Sequence, residues 1–196
     1  MSDLEIIGLD PGPTHSAVLR YRPADRAGHS PVISNRLYAE NLDIAWFLRR
    51  QAIPVLAIEM IASYGMPVGR EVFETCVWIG RFWEVAAAEL VVQIYRKDVK
   101  LHLCGNVRAK DGNIRQALID KFGPTGTKKS PGILYGISGD LWAALAVAVT
   151  YTEAPTYSRA TAGCSHVPHR NPVESLPAGS ERSASPRSDD SDPAPP

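Results

Sequence analysis

The sequence predicts an α/β domain, a five-stranded mixed sheet flanked by helices, followed by a tail with no fold of its own. Three observations predict it. The first forty residues hold three apolar or alternating runs separated by short turns rich in Pro, Gly, Asp and Ser. A continuously apolar run, Pro54 to Ile58, then sits between two stretches of helical periodicity, as a strand buried on both faces does. Past Glu153 the composition turns to Pro, Ser, Ala, Arg and Asp, without apolar periodicity. The domain is therefore placed at residues 1–153 and a disordered Pro/Ser-rich tail at 154–196.

Taken in order, Leu4 to Leu9 reads as a buried strand stopped by Pro11-Gly12-Pro13, with Asp10 where the strand gives out. His15 to Arg22 and Pro31 to Ala39 are the second and third strands, and short turns between them suggest an antiparallel meander. Leu42 to Gln51 is a short helix with Asn41 or Asp43 at its cap. Pro54 to Ile58 is the fourth strand and delivers Glu59 at its end. Arg70 to Leu90 reads as one long helix, with Val72, Phe73, Cys76, Val77, Gly80, Trp83 and Ala87 at core spacing. Val91 to Tyr95 is the fifth strand, and short helices follow at Arg96–Leu103 and Gly112–Phe122. A basic loop, Thr125 to Gly132, precedes a small-residue helix from Leu141 to Tyr151, with Ser138 as its cap and Asp140 in its first turn. This order matches the ribonuclease-H-like arrangement.

Composition narrows the setting. The apolar runs are too short or too interrupted to span a bilayer, and the N-terminus lacks the basic start of a secretion signal. Cys76, Cys104 and Cys164 are odd in number and far apart, which argues for a reducing cytoplasm and against a disulfide framework. The net charge of zero hides a segregation: residues 96–130 hold nine Lys and Arg against three Asp and Glu. That block is a candidate phosphate-binding surface or a solvated helix face.

Three carboxylates fall at element ends: Asp10, Glu59 and Asp140. Strands one and four are neighbours in such a sheet, and a helix packed across them brings Asp140 near. Acids gathered without basic partners suit hard divalent cations, which prefer oxygen ligands. Each acid also has a plain structural role. Asp10 is a common turn former, and Asp140 is favourable against a helix dipole. Glu59, directly after four apolar residues, is harder to leave unpaired.

The stretches GLDPG, AIEM, RAKDGNIRQALIDKFG and SGDLWAALAVAVTY together resemble the RuvC family of Holliday-junction resolvases, and its phage and prophage-type members most, over residues 4–152. The resemblance implies a homodimer and Mg²⁺-dependent nicking of four-way DNA junctions, with Mn²⁺ able to substitute. It implies that Asp10, Glu59 and Asp140 hold metal and that Lys110 acts on the scissile phosphate, the family lysine matching one residue out of register. The family carries another Asp three residues after Asp140, and here that position is Ala143. Tyr64, in the loop after Glu59, is a candidate to stack on bases. Arg96, Lys97, Lys100, Arg108, Lys110, Arg115, Lys128 and Lys129 are candidates for the DNA path. Cys164, His166 and His169 lack a fourth ligand and are read as coincidence.

Two other readings stay open from sequence. A strand-Asp-x-Gly turn also occurs in actin-like ATPases, although no second glycine-rich phosphate loop is present. The missing acid at Ala143 also suits a non-catalytic protein that binds branched DNA.

Overall fold

The apolar runs form strands where expected. The computed structural model describes residues 4–158, except Arg26 and Tyr64. β1 (Ile6–Asp10), β2 (His15–Arg22) and β3 (Val32–Glu40) make the antiparallel meander. α1 (Asn41–Arg50) leads to β4 (Ile53–Met60), which lies parallel to β1 on its other side. α2 (Arg70–Val85) leads to β5 (Ala88–Tyr95), parallel to β4, so the sheet order is β3-β2-β1-β4-β5. α3 (Arg96–Cys104), α4 (Asp111–Phe122), α5 (Leu141–Glu153) and a single turn, α6 (Pro155–Ser158), complete the described chain.

Strand alternation divides the core into two layers. Ile7, Leu9, Leu56 and Ile58 meet Ile44 and Leu48 of α1 and Ile79 and Phe82 of α2 on one face. Ile6, Val55, Ala57 and Ile94 meet α3, α4 and α5 on the other. α5 is buried along almost its whole length, which explains a sequence of small apolar residues with no polar face.

Three expectations are corrected. The long helix ends at Val85, and Ala88 to Leu90 belong to β5. Pairing with β4 from Ile53↔Ala88 onward outweighs the helix preference of the alanine-rich stretch. Much of the α2 stripe expected to be core faces outward: Phe73 and Val77 are each 61% exposed, and Cys76 and Gly80 are exposed with them, while Val72 and Trp83 are half-buried. Thr75, Ile79 and Phe82 are the buried residues of that helix. The capping residues also differ. Asn41 is the first residue of α1, its side chain turned to the β1–β2 loop, and Asp140 directly precedes α5 in helical backbone while Ser138 only accepts a turn hydrogen bond from Leu141 N–H.

Folded chain continues past the boundary expected at Glu153. Ala154 is buried, and the Tyr157 hydroxyl donates to Asp98 Oδ2 at 2.7 Å. The rest of the expected tail, with Cys164, His166 and His169, lies outside the described residues, as does Tyr64. Among the described residues no helix is long and apolar enough to cross a membrane.

Candidate active site

The site grows from one face of the sheet. Side chains two apart on a strand share a face, so Gly8 and Asp10 of β1 lie beside Ala57 and Glu59 of β4, the strands being paired in parallel at Gly8↔Ala57 and Leu9↔Ile58. This is the face that α5 covers. A Cβ on Gly8 would stand 2.1 Å from the Ala144 carbonyl oxygen and 3.0 Å from Ala148 Cβ. Gly8 therefore lets α5 lie directly on β1. Asp140, one turn before Ala144, is thereby brought over the end of the strand that carries Asp10.

The turn after Asp10 is fixed by a buried polar set. The Ser16 hydroxyl donates to Asn41 Oδ1 at 2.6 Å and accepts from Gly12 N–H at 3.2 Å, and Asn41 Nδ2 donates to the Gly12 carbonyl at 3.0 Å. Ser16 and Asn41 are both 1% exposed, so breaking one bond would leave an unmet polar group in the core. Gly12 is itself required, since a Cβ there would lie 2.3 Å from the His15 carbonyl oxygen. Asp10 thus projects from a strand whose far end cannot swing.

The three acids occupy different surroundings. Glu59 is buried, Asp10 partly buried and Asp140 exposed. Burial holds the Asp10 carboxyl well above the usual carboxylate range. The charge of Glu59 and a hydrogen bond with it push further the same way, Arg96 opposes them, and Asp140 adds a smaller push upward. A carboxyl driven to keep its proton by burial, and next by the neighbouring Glu59 carboxylate, would release that proton readily only beside a cation.

Arg96 answers part of the Glu59 charge. It is the first residue of α3 and directly follows β5, which is paired with β4 at Glu59↔Ile94. Its Nη1 donates to both Glu59 oxygens at 2.7 and 3.0 Å, and its Nη2 donates to Asp111 Oδ1 at 2.6 Å. Burial alone would lower the guanidinium pKa, but the Glu59 and Asp111 carboxylates outweigh it and hold Arg96 above its ordinary value. Arg96, expected on the DNA path, thus pairs with Glu59 and Asp111 in this structure.

A divalent cation fits the donor chemistry of Asp10, Glu59 and Asp140, which are hard oxygens of one sign at the mouth of a rigid sheet. Among the described residues, however, no three His, Cys, Asp or Glu side chains already converge on one point. Asp140 stands exposed, and both Glu59 oxygens face Arg96.

Of the other predicted residues, Lys110 is exposed at the start of α4. Its main chain caps that helix, with Lys110 N–H donating to Asn113 Oδ1 at 2.9 Å. Lys128 and Lys129 sit at the tip of a tight hairpin closed by Thr127 N–H to Ser130 O at 3.0 Å and Ser130 N–H to Thr127 O at 3.1 Å. Arg115 lies over the Trp142 ring, 5.1 Å from its centre, and Lys97 over Tyr95 at 5.9 Å. Lys100 is partly buried and Arg108 exposed.

No family model matches the chain, and no curated protein matches it in sequence. In three dimensions it is similar to the structure of Thermus thermophilus RuvC, with a TM-score of 0.59 over 80% of this chain and 96% of that one, at 17% identity. It is also similar to T. thermophilus RuvC in complex with a Holliday junction substrate, with a TM-score of 0.55 over 76% of this chain and 93% of that one, at 16% identity. The fold is ribonuclease-H-like. At these identities the likeness is one of fold, and chemistry has to be argued from this chain's own residues.

Two features of the site are absent from the sequence reading. The Ser16–Asn41 pair is one, signalled only by two polar residues inside apolar surroundings. The Arg96–Glu59 ion pair is the other, and it depends on the β4–β5 register.

Proposed function

We propose that the protein is a metal-dependent, structure-selective DNA endonuclease that hydrolyses phosphodiester bonds at four-way or related branched junctions. One observation carries this reading: Asp10 and Glu59 stand side by side at the carboxyl ends of two parallel strands, beneath the start of a helix that presents Asp140. The fold that T. thermophilus RuvC shares, and the Holliday junction held by that protein, support the choice of substrate. In this reading Asp10, Glu59 and Asp140 hold Mg²⁺ or Mn²⁺. The bound ion would lower the pKa of a water for attack and offset charge on the leaving oxygen.

The chain's own residues supply the rest. The Ser16–Asn41 set and the Gly8 contact fix where two of the acids stand. Arg96 holds the orientation of Glu59. Lys110, exposed one residue from the Asp111 that anchors Arg96, is the cation proposed to meet the scissile phosphate. Lys128 and Lys129 at the hairpin tip, with Lys97, Lys100, Arg108 and Arg115, are proposed to follow the DNA backbone.

The outward stripe of α2 is proposed as a homodimer face. Phe73 and Val77, one turn apart and each 61% exposed, form an apolar patch beside Cys76 and Gly80. Two sites related by a two-fold axis suit a junction with two-fold symmetry.

Ala143 and the occupation of Glu59 by Arg96 favour a second reading, a binder of branched DNA that does not cut. Incubation with end-labelled four-way, three-way, flap and linear DNA, with Mg²⁺, Mn²⁺ or EDTA, separates the two. Metal-dependent cuts in the branched forms support the nuclease. Tight binding to junctions without cleavage supports the binder.

A further inference from the structure

Arg96 stands against the acid cluster and pairs with one of its members, Glu59. Its fork is held from both sides: Nη1 lies 2.7 and 3.0 Å from the two Glu59 oxygens and Nη2 lies 2.6 Å from Asp111 Oδ1. Its root is fixed as well, because it leaves directly from β5, whose backbone pairs with β4 at Glu59↔Ile94 and Met60↔Tyr95. A planar guanidinium gripped by two carboxylates on separate elements is a rigid, permanent positive charge.

A second observation is independent of the first. Ala143 is three residues after Asp140, one helical turn on in α5, and its side chain carries no carboxylate. Two ions bridged by carboxylates need a carboxylate they can share and outer ligands for each. Here the buried carboxylate best placed for sharing already gives both oxygens to Arg96, and the helix offers one acid only.

We infer that Arg96 is a resident cation of the centre that takes the place of a second divalent ion, so that each chain loads one ion, on the remaining donors of Asp10, Asp140 and Glu59. The inference rests on the metal-dependent reading above. Arg96 acts through Glu59 and is a positioning residue. Its guanidinium fixes how much of Glu59 an incoming ion can use, and it supplies charge that a second ion would otherwise bring.

The test counts ions in the full chain without DNA. Mn²⁺ is titrated into the wild type, Arg96→Met and Arg96→Lys, with free Mn²⁺ followed by electron paramagnetic resonance and heat by calorimetry. The wild type is expected to bind one Mn²⁺ per chain. Arg96→Met removes the charge at similar bulk and is expected to bind a second ion. Arg96→Lys keeps the charge and is expected to stay at one. Two ions bound by the wild type, or only one ion bound by Arg96→Met, overturns the inference. If Arg96→Met fails to fold, the wild-type count still decides between one ion and two. A wild type that cleaves junctions with two ions bound refutes this inference and leaves the nuclease reading standing. A wild type that binds no Mn²⁺ refutes both.

Discussion

Gly8→Ala tests how the fold builds the site. The added methyl would stand 2.1 Å from the Ala144 carbonyl oxygen, and side-chain carbons essentially never come within 3.0 Å of such an atom. The obstacle is helix backbone, so no side chain can rotate away. β1 is equally fixed, being paired on one side to β2 and on the other to β4. α5 therefore has to lift by about 0.9 Å or tilt, against a packed interior that resists such shifts at a cost of about 1–3 kcal/mol. For a domain of this size that is a fall in Tm of about 2–12 °C. The lift also carries Asp140 away from Asp10, and misplacement of about 1 Å can cost about a hundredfold in rate. Thermal melts and junction cleavage, the latter run well below the melting temperature, read both effects on one preparation. A Gly8→Ala protein with the wild-type Tm and wild-type cleavage would show that α5 does not rest on β1 at this point, and the placement of Asp140 would fall with it.

Three further outcomes are expected. In metal-free buffer Asp10 keeps its proton at a pH where an unfolded Asp has lost it, so the folded state binds more protons and stability falls as pH rises above the ordinary carboxylate range. Asp10→Asn removes that loss and should melt a few degrees higher than the wild type near neutral pH, with a flatter Tm–pH curve; parallel curves for the two proteins would refute the raised value. Phe73→Glu places a charge in the outward stripe of α2 and should convert a dimer to a monomer in sedimentation, with secondary structure unchanged; an unchanged sedimentation coefficient would move the proposed interface elsewhere. Replacing Lys128 and Lys129 by Ala should weaken binding to every DNA form and flatten the salt dependence by about one unit per lost phosphate contact. An unchanged slope would take the hairpin off the DNA path.

Much of the fold was legible because strand and turn chemistry are local. The five strands, and Asp10 and Glu59 at or near their ends, follow from apolar runs that end in Pro, Gly or a carboxylate. Long-range choices were not legible. α2 carries two apolar stripes, one through Ile79 and Phe82 and one through Phe73, Val77 and Gly80, and periodicity alone does not say which faces the sheet. The start of β5 at Ala88 was hidden because alanine favours helix until β4 supplies a partner. Arg96 read as one cation in a basic block. Only the alignment of β5 beside β4 shows that it serves Glu59. Local chemistry thus marked two of the acids, while the cation that governs one of them depended on strand register.

The most direct test of the central claim is single-turnover cleavage of a four-way junction with Mg²⁺ or Mn²⁺ by the wild type, Asp10→Asn, Glu59→Gln and Asp140→Asn, with gel shifts on the same samples. Each substitution keeps the side chain's shape and removes one anionic ligand. Cleavage should fall by at least about a hundredfold in each variant, a loss of about 3 kcal/mol of transition-state stabilisation, while junction binding is retained. Cleavage by Asp140→Asn at the wild-type rate would remove α5 from the site, and a wild type that binds junctions but cuts with neither metal would contradict the nuclease account.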